Sequence, residues 1–167
     1  MKKITFLAIL LLFSTSSFSQ VNLSIPKDYK LENAEDYKPL ENDVLNAIKW
    51  LSETKINEQT EKRIEVNAFL LKWLMGSPYV HIEINPEIVT FIGTAPELLL
   101  MFMGGWAKYS IEAEDYNNKT AGSLAGIEMV INFYEKNKSF LPKDKNVESY
   151  IKMKKKGKLK EYVEKNA

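Results

Sequence analysis

The run Leu98-Leu99-Leu100-Met101-Phe102-Met103 is apolar on every side of a helix, so the rest of the chain has to surround it. Thr94-Ala95-Pro96-Glu97 precedes it, and a Thr followed three residues later by Glu can satisfy two orphan backbone N–H groups reciprocally. A helix is therefore predicted to start at Thr94. Its apolar part reaches only to Lys108, about half of the roughly 20 residues needed to cross a bilayer. Gly104-Gly105 inside it costs about 1 kcal/mol per glycine relative to Ala, which predicts either close approach of a second helix or a break before Trp106.

Helical spacing governs most of the remaining chain. Leu40, Val44, Ala47, Ile48 and Leu51 mark one amphipathic helix ending near Glu53. A second is predicted from Asn57, as N-cap, to Gly76, with Ile64, Ala68, Leu71, Leu74 and Met75 facing inward. Asn85-Pro86-Glu87 predicts a short helix ended by Gly93. Another runs from about Thr120 to Asn137, where Gly122, Ala125 and Gly126 leave room for tight contact. Two short basic helices follow the Leu141-Pro142 break, separated by Gly157. Only Tyr79 to Ile84 alternates, and a lone strand has no partner, so residues 79–84 are read as an extended connector. The expected fold is all-α, a single-domain bundle of about five to seven antiparallel helices.

The N-terminus sets the compartment. Lys2 and Lys3 precede the apolar run Ile4 to Phe13, and Ser17 and Ser19 offer small side chains before Gln20. Residues 1–19 thus read as a cleavable signal peptide, with a periplasmic or secreted product. Residues 20–39, punctuated by Pro26 and Pro39, read as a loosely ordered lead-in, and 40–167 as the helical domain. The chain contains no Cys, which removes disulfides, thiol catalysis and a lipidated thiol. Cleavage would leave 167 − 19 = 148 residues, enough for one core.

Charge is balanced overall and uneven locally. Residues 76–135 carry 8 acidic and 2 basic side chains, whereas 136–167 carry 11 Lys against 4 acidic residues. Near-neutrality argues against nucleic acid as a partner. The Lys-rich end is either a solvated helical face or a patch for an anionic surface.

No phosphate-binding Gly-rich loop, nucleophile elbow or metal-ligand spacing is present, so no cofactor and no metal is expected. The single His gives one catalytic candidate. In an extended backbone His81 shares a face with Tyr79 and Glu83, which could act as base, donor and orienting acid. The alternative is a hydrogen-bonded structural or surface His. Trp106, Tyr109 and Phe102 are candidates for lining a ligand pocket, against a simple role in the core. Glu112, Glu114 and Asp115 lack the rest of a calcium loop and read as an acidic helix end.

The Ser17-Phe18-Ser19-Gln20 ending of the signal, Lys49-Trp50-Leu51, Gly76-Ser77-Pro78 leading to Ile82-Glu83-Ile84-Asn85-Pro86, and the ending Gly157-Lys158-Leu159-Lys160-Glu161-Tyr162-Val163 resemble a group of exported helical proteins of Gram-negative bacteria of the Bacteroidetes type. The resemblance implies export and a helical fold, and brings no activity with it. Three functions are compatible with the sequence. One is a non-enzymatic binding or interaction module for a protein or small ligand. Another is a small periplasmic hydrolase or lyase centred on Tyr79, His81 and Glu83. The third is an envelope-associated protein that meets an anionic surface through its Lys-rich tail.

Overall fold

The apolar run lies in the middle of a computed structural model that describes residues 23–167, so the export signal expected at 1–19 falls outside the described residues. Six α-helices are present: α1 (Glu41–Glu53), α2 (Thr60–Gly76), α3 (Pro96–Ala113), α4 (Lys119–Lys136), α5 (Lys145–Lys155) and α6 (Leu159–Asn166). No strand occurs among the described residues, and 79–84 is an extended connector. The fold is an all-α bundle.

α3 and α4 form its spine, and their glycines explain why. A Cβ at Gly105 would stand 2.6 Å from the Ala125 carbonyl oxygen, and one at Gly126 would stand 2.8 Å from the Phe102 carbonyl oxygen. Phe102 meets Gly126 and Trp106 meets Gly122, a descending order that makes the two helices antiparallel. Gly104-Gly105 thus serves close helix approach, and α3 runs unbroken through Trp106 to Ala113. Leu98, Met101, Phe102, Trp106 and Ala107 are buried, packed between α4 and the α1–α2 hairpin.

Two sequence expectations about helix starts are not met. The N-cap of α3 is Ala95 and receives no side-chain bond. The Thr94 hydroxyl instead donates to Asp144 Oδ2, fifty residues on. Asp144 also accepts from the N–H groups of Asn146 at 2.7 Å and Val147 at 2.9 Å, capping α5. α2 begins at Thr60 after Gln59, which adopts left-handed φ 50°, and not at Asn57.

Where a short helix was expected after Pro86, the chain makes consecutive turns over 86–94. Asn85 Oδ1 accepts from Glu87 N–H, an Asx turn that competes with helix nucleation. Side chains from α5 and α6 then hold the turns. The Tyr150 hydroxyl donates to the Ile88 carbonyl at 2.9 Å, Asn146 Nδ2 to the Thr90 carbonyl at 2.7 Å, and the Tyr162 hydroxyl to the Glu87 carbonyl at 2.9 Å. Ile88, Val89 and Phe91 are thereby buried without regular structure.

The described part of the lead-in is also packed. Leu23 and Tyr37 join the core, and residues 34–36 and 38–40 form 3-10 turns. Trp73 Nε1 donates to the Tyr37 carbonyl at 3.0 Å, and the Tyr29 ring stands edge-on to Phe69 at 5.0 Å. Pro26 and Pro39 prevent helix here, and the aromatic side chains supply the anchoring instead.

Candidate functional site

The extended connector does not gather its three candidate residues around one point. Alternation turns Val80 into the core, where it is buried, and leaves His81 exposed. Glu83 pairs with Lys119 Nζ at 2.5 Å in an ion pair whose partners are both about half exposed or more. Tyr79 turns the other way. Its ring packs edge-on to Trp73 at 6.1 Å and to Tyr116 at 5.2 Å. No hydrogen bond links Tyr79, His81 and Glu83 among the described residues.

The Tyr79 hydroxyl is buried and lacks a hydrogen-bond partner, as does Oε1 of Glu41 nearby. Burial, and after it the Glu41 carboxylate, pushes the Tyr79 phenol well above its ordinary value. Burial likewise raises Tyr116 and, more strongly, Tyr150. A phenol so held keeps its proton at neutral pH. It serves packing more readily than proton transfer.

The aromatic candidates divide in the same way. Phe102 and Trp106 are buried between α3 and α4, their rings standing where side chains at Gly126 and Gly122 would lie. Tyr109 is partly exposed and donates to Asp115 Oδ2 at 2.9 Å, which raises the phenol. Asn118 Nδ2 donates to the same oxygen at 3.0 Å, and these two donors hold the Asp115 carboxyl below its usual range. Glu112 pairs with Lys108, and Glu114 ends α3 in the left-handed region at φ 51°. The acidic segment is therefore a helix stop, and among the described residues no group of three or more potential ligands could hold a metal.

Arg63 was not foreseen in the sequence because it sits among charged neighbours at the start of α2. It is only 5% exposed, and its guanidinium donates to the carbonyls of Thr54 at 2.7 Å and Lys55 at 2.9 Å. It also lies 5.6 Å from the centre of the Trp50 ring. Burial lowers its pKa from a high starting value, so it stays charged while closing the α1–α2 link.

Two surfaces stand out once these residues are assigned. The end of α5 and the turn into α6 carry Lys152, Lys154, Lys155, Lys156 and Lys158, all exposed. Gly157, at φ 68°, makes the turn. Its N–H donates to the Lys154 carbonyl at 3.0 Å and the Lys158 N–H to the Met153 carbonyl at 2.9 Å, an arrangement only Gly adopts without strain. Lys154 faces Glu128 at 3.6 Å, while the ammonium groups of Lys152, Lys155, Lys156 and Lys158 have no ion pair or hydrogen bond among the described residues.

The other surface is on α2, whose inner face differs from the one expected. Val66, Phe69, Leu70, Trp73 and Leu74 are buried, whereas Ile64 is 65% exposed, Leu71 37% and Met75 81%. α2 is apolar on both sides, so periodicity alone offers two stripes. The stripe with Phe69 and Trp73 buries more area and takes the core. Beside the outer stripe, Leu71, Asn67, Pro96, Leu99, Leu100 and Met103 line a groove of about 250 Å³ between α2 and α3.

Set against family models, curated proteins and solved structures, the chain matches none of them.

Proposed function

We propose that this chain is an exported, non-enzymatic binding module that docks on anionic phospholipid surfaces through the lysine tip between α5 and α6. The observation that carries this reading is the tip itself: four exposed ammonium groups without carboxylate partners, on one helix end and a fixed turn. Lysines at a helix C-terminus also complement its dipole, which supports some of them structurally. That accounts for the last turn of α5 and not for Lys158, which lies beyond it.

Two further features support the assignment. No described helix is long and apolar enough to cross a membrane, so a membrane contact would be peripheral. The exposed His81, the ion-paired Glu83 and the buried Tyr79 phenol offer no joint proton relay, which weighs against the hydrolase or lyase reading. The export signal read at residues 1–19 and the resemblance to exported helical proteins favour an anionic surface of the envelope.

A lysine near an anionic leaflet is worth about 1 kcal/mol, so the four unpaired ones together supply roughly three orders of magnitude in partitioning. Sedimentation with vesicles containing phosphatidylglycerol tests this. The mature protein should be retained at low salt and released as ionic strength rises, and uncharged phosphatidylcholine vesicles should not retain it. Equal retention on both kinds of vesicle would refute the proposal.

A further inference from the structure

The outer face of α2 is apolar in a pattern that the bundle does not use. Ile64, Ala68, Leu71 and Met75 are spaced four, three and four residues apart, the alternation of a coiled-coil seam, and all four are exposed. The side chains beside this seam are charged in a definite order. On the helical wheel Glu65 and Lys72 flank the same edge, one toward each end, while Asn67 lies on the opposite edge facing the α2–α3 groove. Oδ1 of Asn67 is buried there and has no hydrogen-bond partner.

We infer that this seam is the contact between two copies of the chain, with α2 packed antiparallel on α2 about a twofold axis between Ala68 and Leu71. An isologous axis maps the seam onto itself: Ile64 meets the second copy's Met75, and Ala68 meets its Leu71. The small Ala68 lets the backbones approach to about 8–10 Å around the axis. The same operation preserves edges, so Glu65 of each copy faces Lys72 of the other, giving two opposite-charge pairs along one side. A parallel arrangement would exchange the edges, so that Glu65 and Lys72 would face the Asn67 edge of the other copy and form no such pairs.

Charge complementarity is what selects a second copy over another apolar partner, because both members of each pair come from this one helix. Lys72 is already oriented, its ammonium lying 5.2 Å from the centre of the Tyr29 ring at the edge of the seam. On the other edge the uncharged Asn67 side chains bring no like-charge repulsion to the pair. The inference is independent of the lysine tip, which lies on other helices.

Sedimentation equilibrium of the mature chain over micromolar to submillimolar concentration tests it. The expected result is a reversible monomer–dimer equilibrium that Leu71→Glu weakens by about a hundredfold or more, with the helical circular dichroism unchanged because position 71 is exposed. Glu65→Lys alone should weaken the dimer, and adding Lys72→Glu should restore it. A single monomeric species at every concentration would overturn the proposal. So would a dimer indifferent to Leu71→Glu, or one that the paired charge reversal fails to rescue.

Discussion

The Trp106 indole occupies the space that a side chain at Gly122 would need: a Cβ there would stand 2.5 Å from Cε2 of the ring. Neither partner has room to move, because Trp106 is buried and also packs edge-on to Phe102 at 6.0 Å. Gly122→Ala should therefore destabilise the bundle by about 1–3 kcal/mol despite the better helix propensity of Ala. Chemical denaturation reads the loss. Gly93→Ala is the control, since nothing lies within 4 Å of a Cβ there, and it should leave stability within about 0.5 kcal/mol.

Asp144 joins two distant parts of the chain through one carboxylate, capping α5 while accepting from the Thr94 hydroxyl. Asp144→Ala should cost about 2–4 kcal/mol, combining a lost cap with a partly buried hydroxyl left without its acceptor. Asp144→Asn keeps an acceptor for the cap and should cost less. In a double-mutant cycle with Thr94→Val, the two losses should fall short of adding, since they remove the same bond.

Tyr79→Phe separates packing from chemistry at the connector. The hydroxyl is buried without a partner, so its removal should leave stability unchanged or raise it by up to about 1 kcal/mol. A clear loss on thermal melting would mean that the hydroxyl makes a bond essential to the fold.

The pH dependence has two limbs of opposite origin. The Asn33 and Glu32 backbone N–H groups hold Asp36 below its usual range, the Asn118 side chain does the same for Asp115, and Lys138 for Glu148. Their stabilising contributions are present above the unfolded carboxylate pKa of about 4 and are lost as pH falls through the lower folded values. Tyr79, Tyr116 and Tyr150 are raised, chiefly by burial. Above the unfolded phenol pKa of about 10 the unfolded chain sheds protons that the folded chain keeps, so stability falls as pH rises. Denaturation midpoints measured from pH 3 to 11 should show both declines, and Tyr79→Phe should shallow the alkaline one.

Helix content was legible in the sequence because periodicity and the α3–α4 glycines act locally. α1 and α4 lie within one residue of the expected bounds, α5 and α6 fall on either side of Gly157 as expected, and of the two readings of Gly104-Gly105 the close helix approach is the one found. What escaped were choices between equivalent local options. α2 offers two apolar stripes, and only the assembled bundle decides that Phe69 and Trp73 go in while Ile64 and Met75 stay out. Thr94 matches a capping box, yet a buried acceptor from α5 takes its hydroxyl. Burial alternates between Val80 and Glu83, but Trp73 and Tyr116 hold the Tyr79 ring away from His81 and Lys119 takes the Glu83 carboxylate. The lysine tip was visible as composition, whereas its four unpaired members required the fold.

Whether the tip is a docking surface or only part of a charged exterior is decided by comparing two sets of four substitutions. One replaces Lys152, Lys155, Lys156 and Lys158 with Gln; the other replaces Lys27, Lys30, Lys49 and Lys55, also exposed and outside any ion pair among the described residues. Both change net charge alike. Partitioning onto phosphatidylglycerol vesicles should fall by roughly three orders of magnitude for the tip variant and about tenfold or less for the other. Equal losses for the two variants, or full retention of the tip variant, would contradict the account.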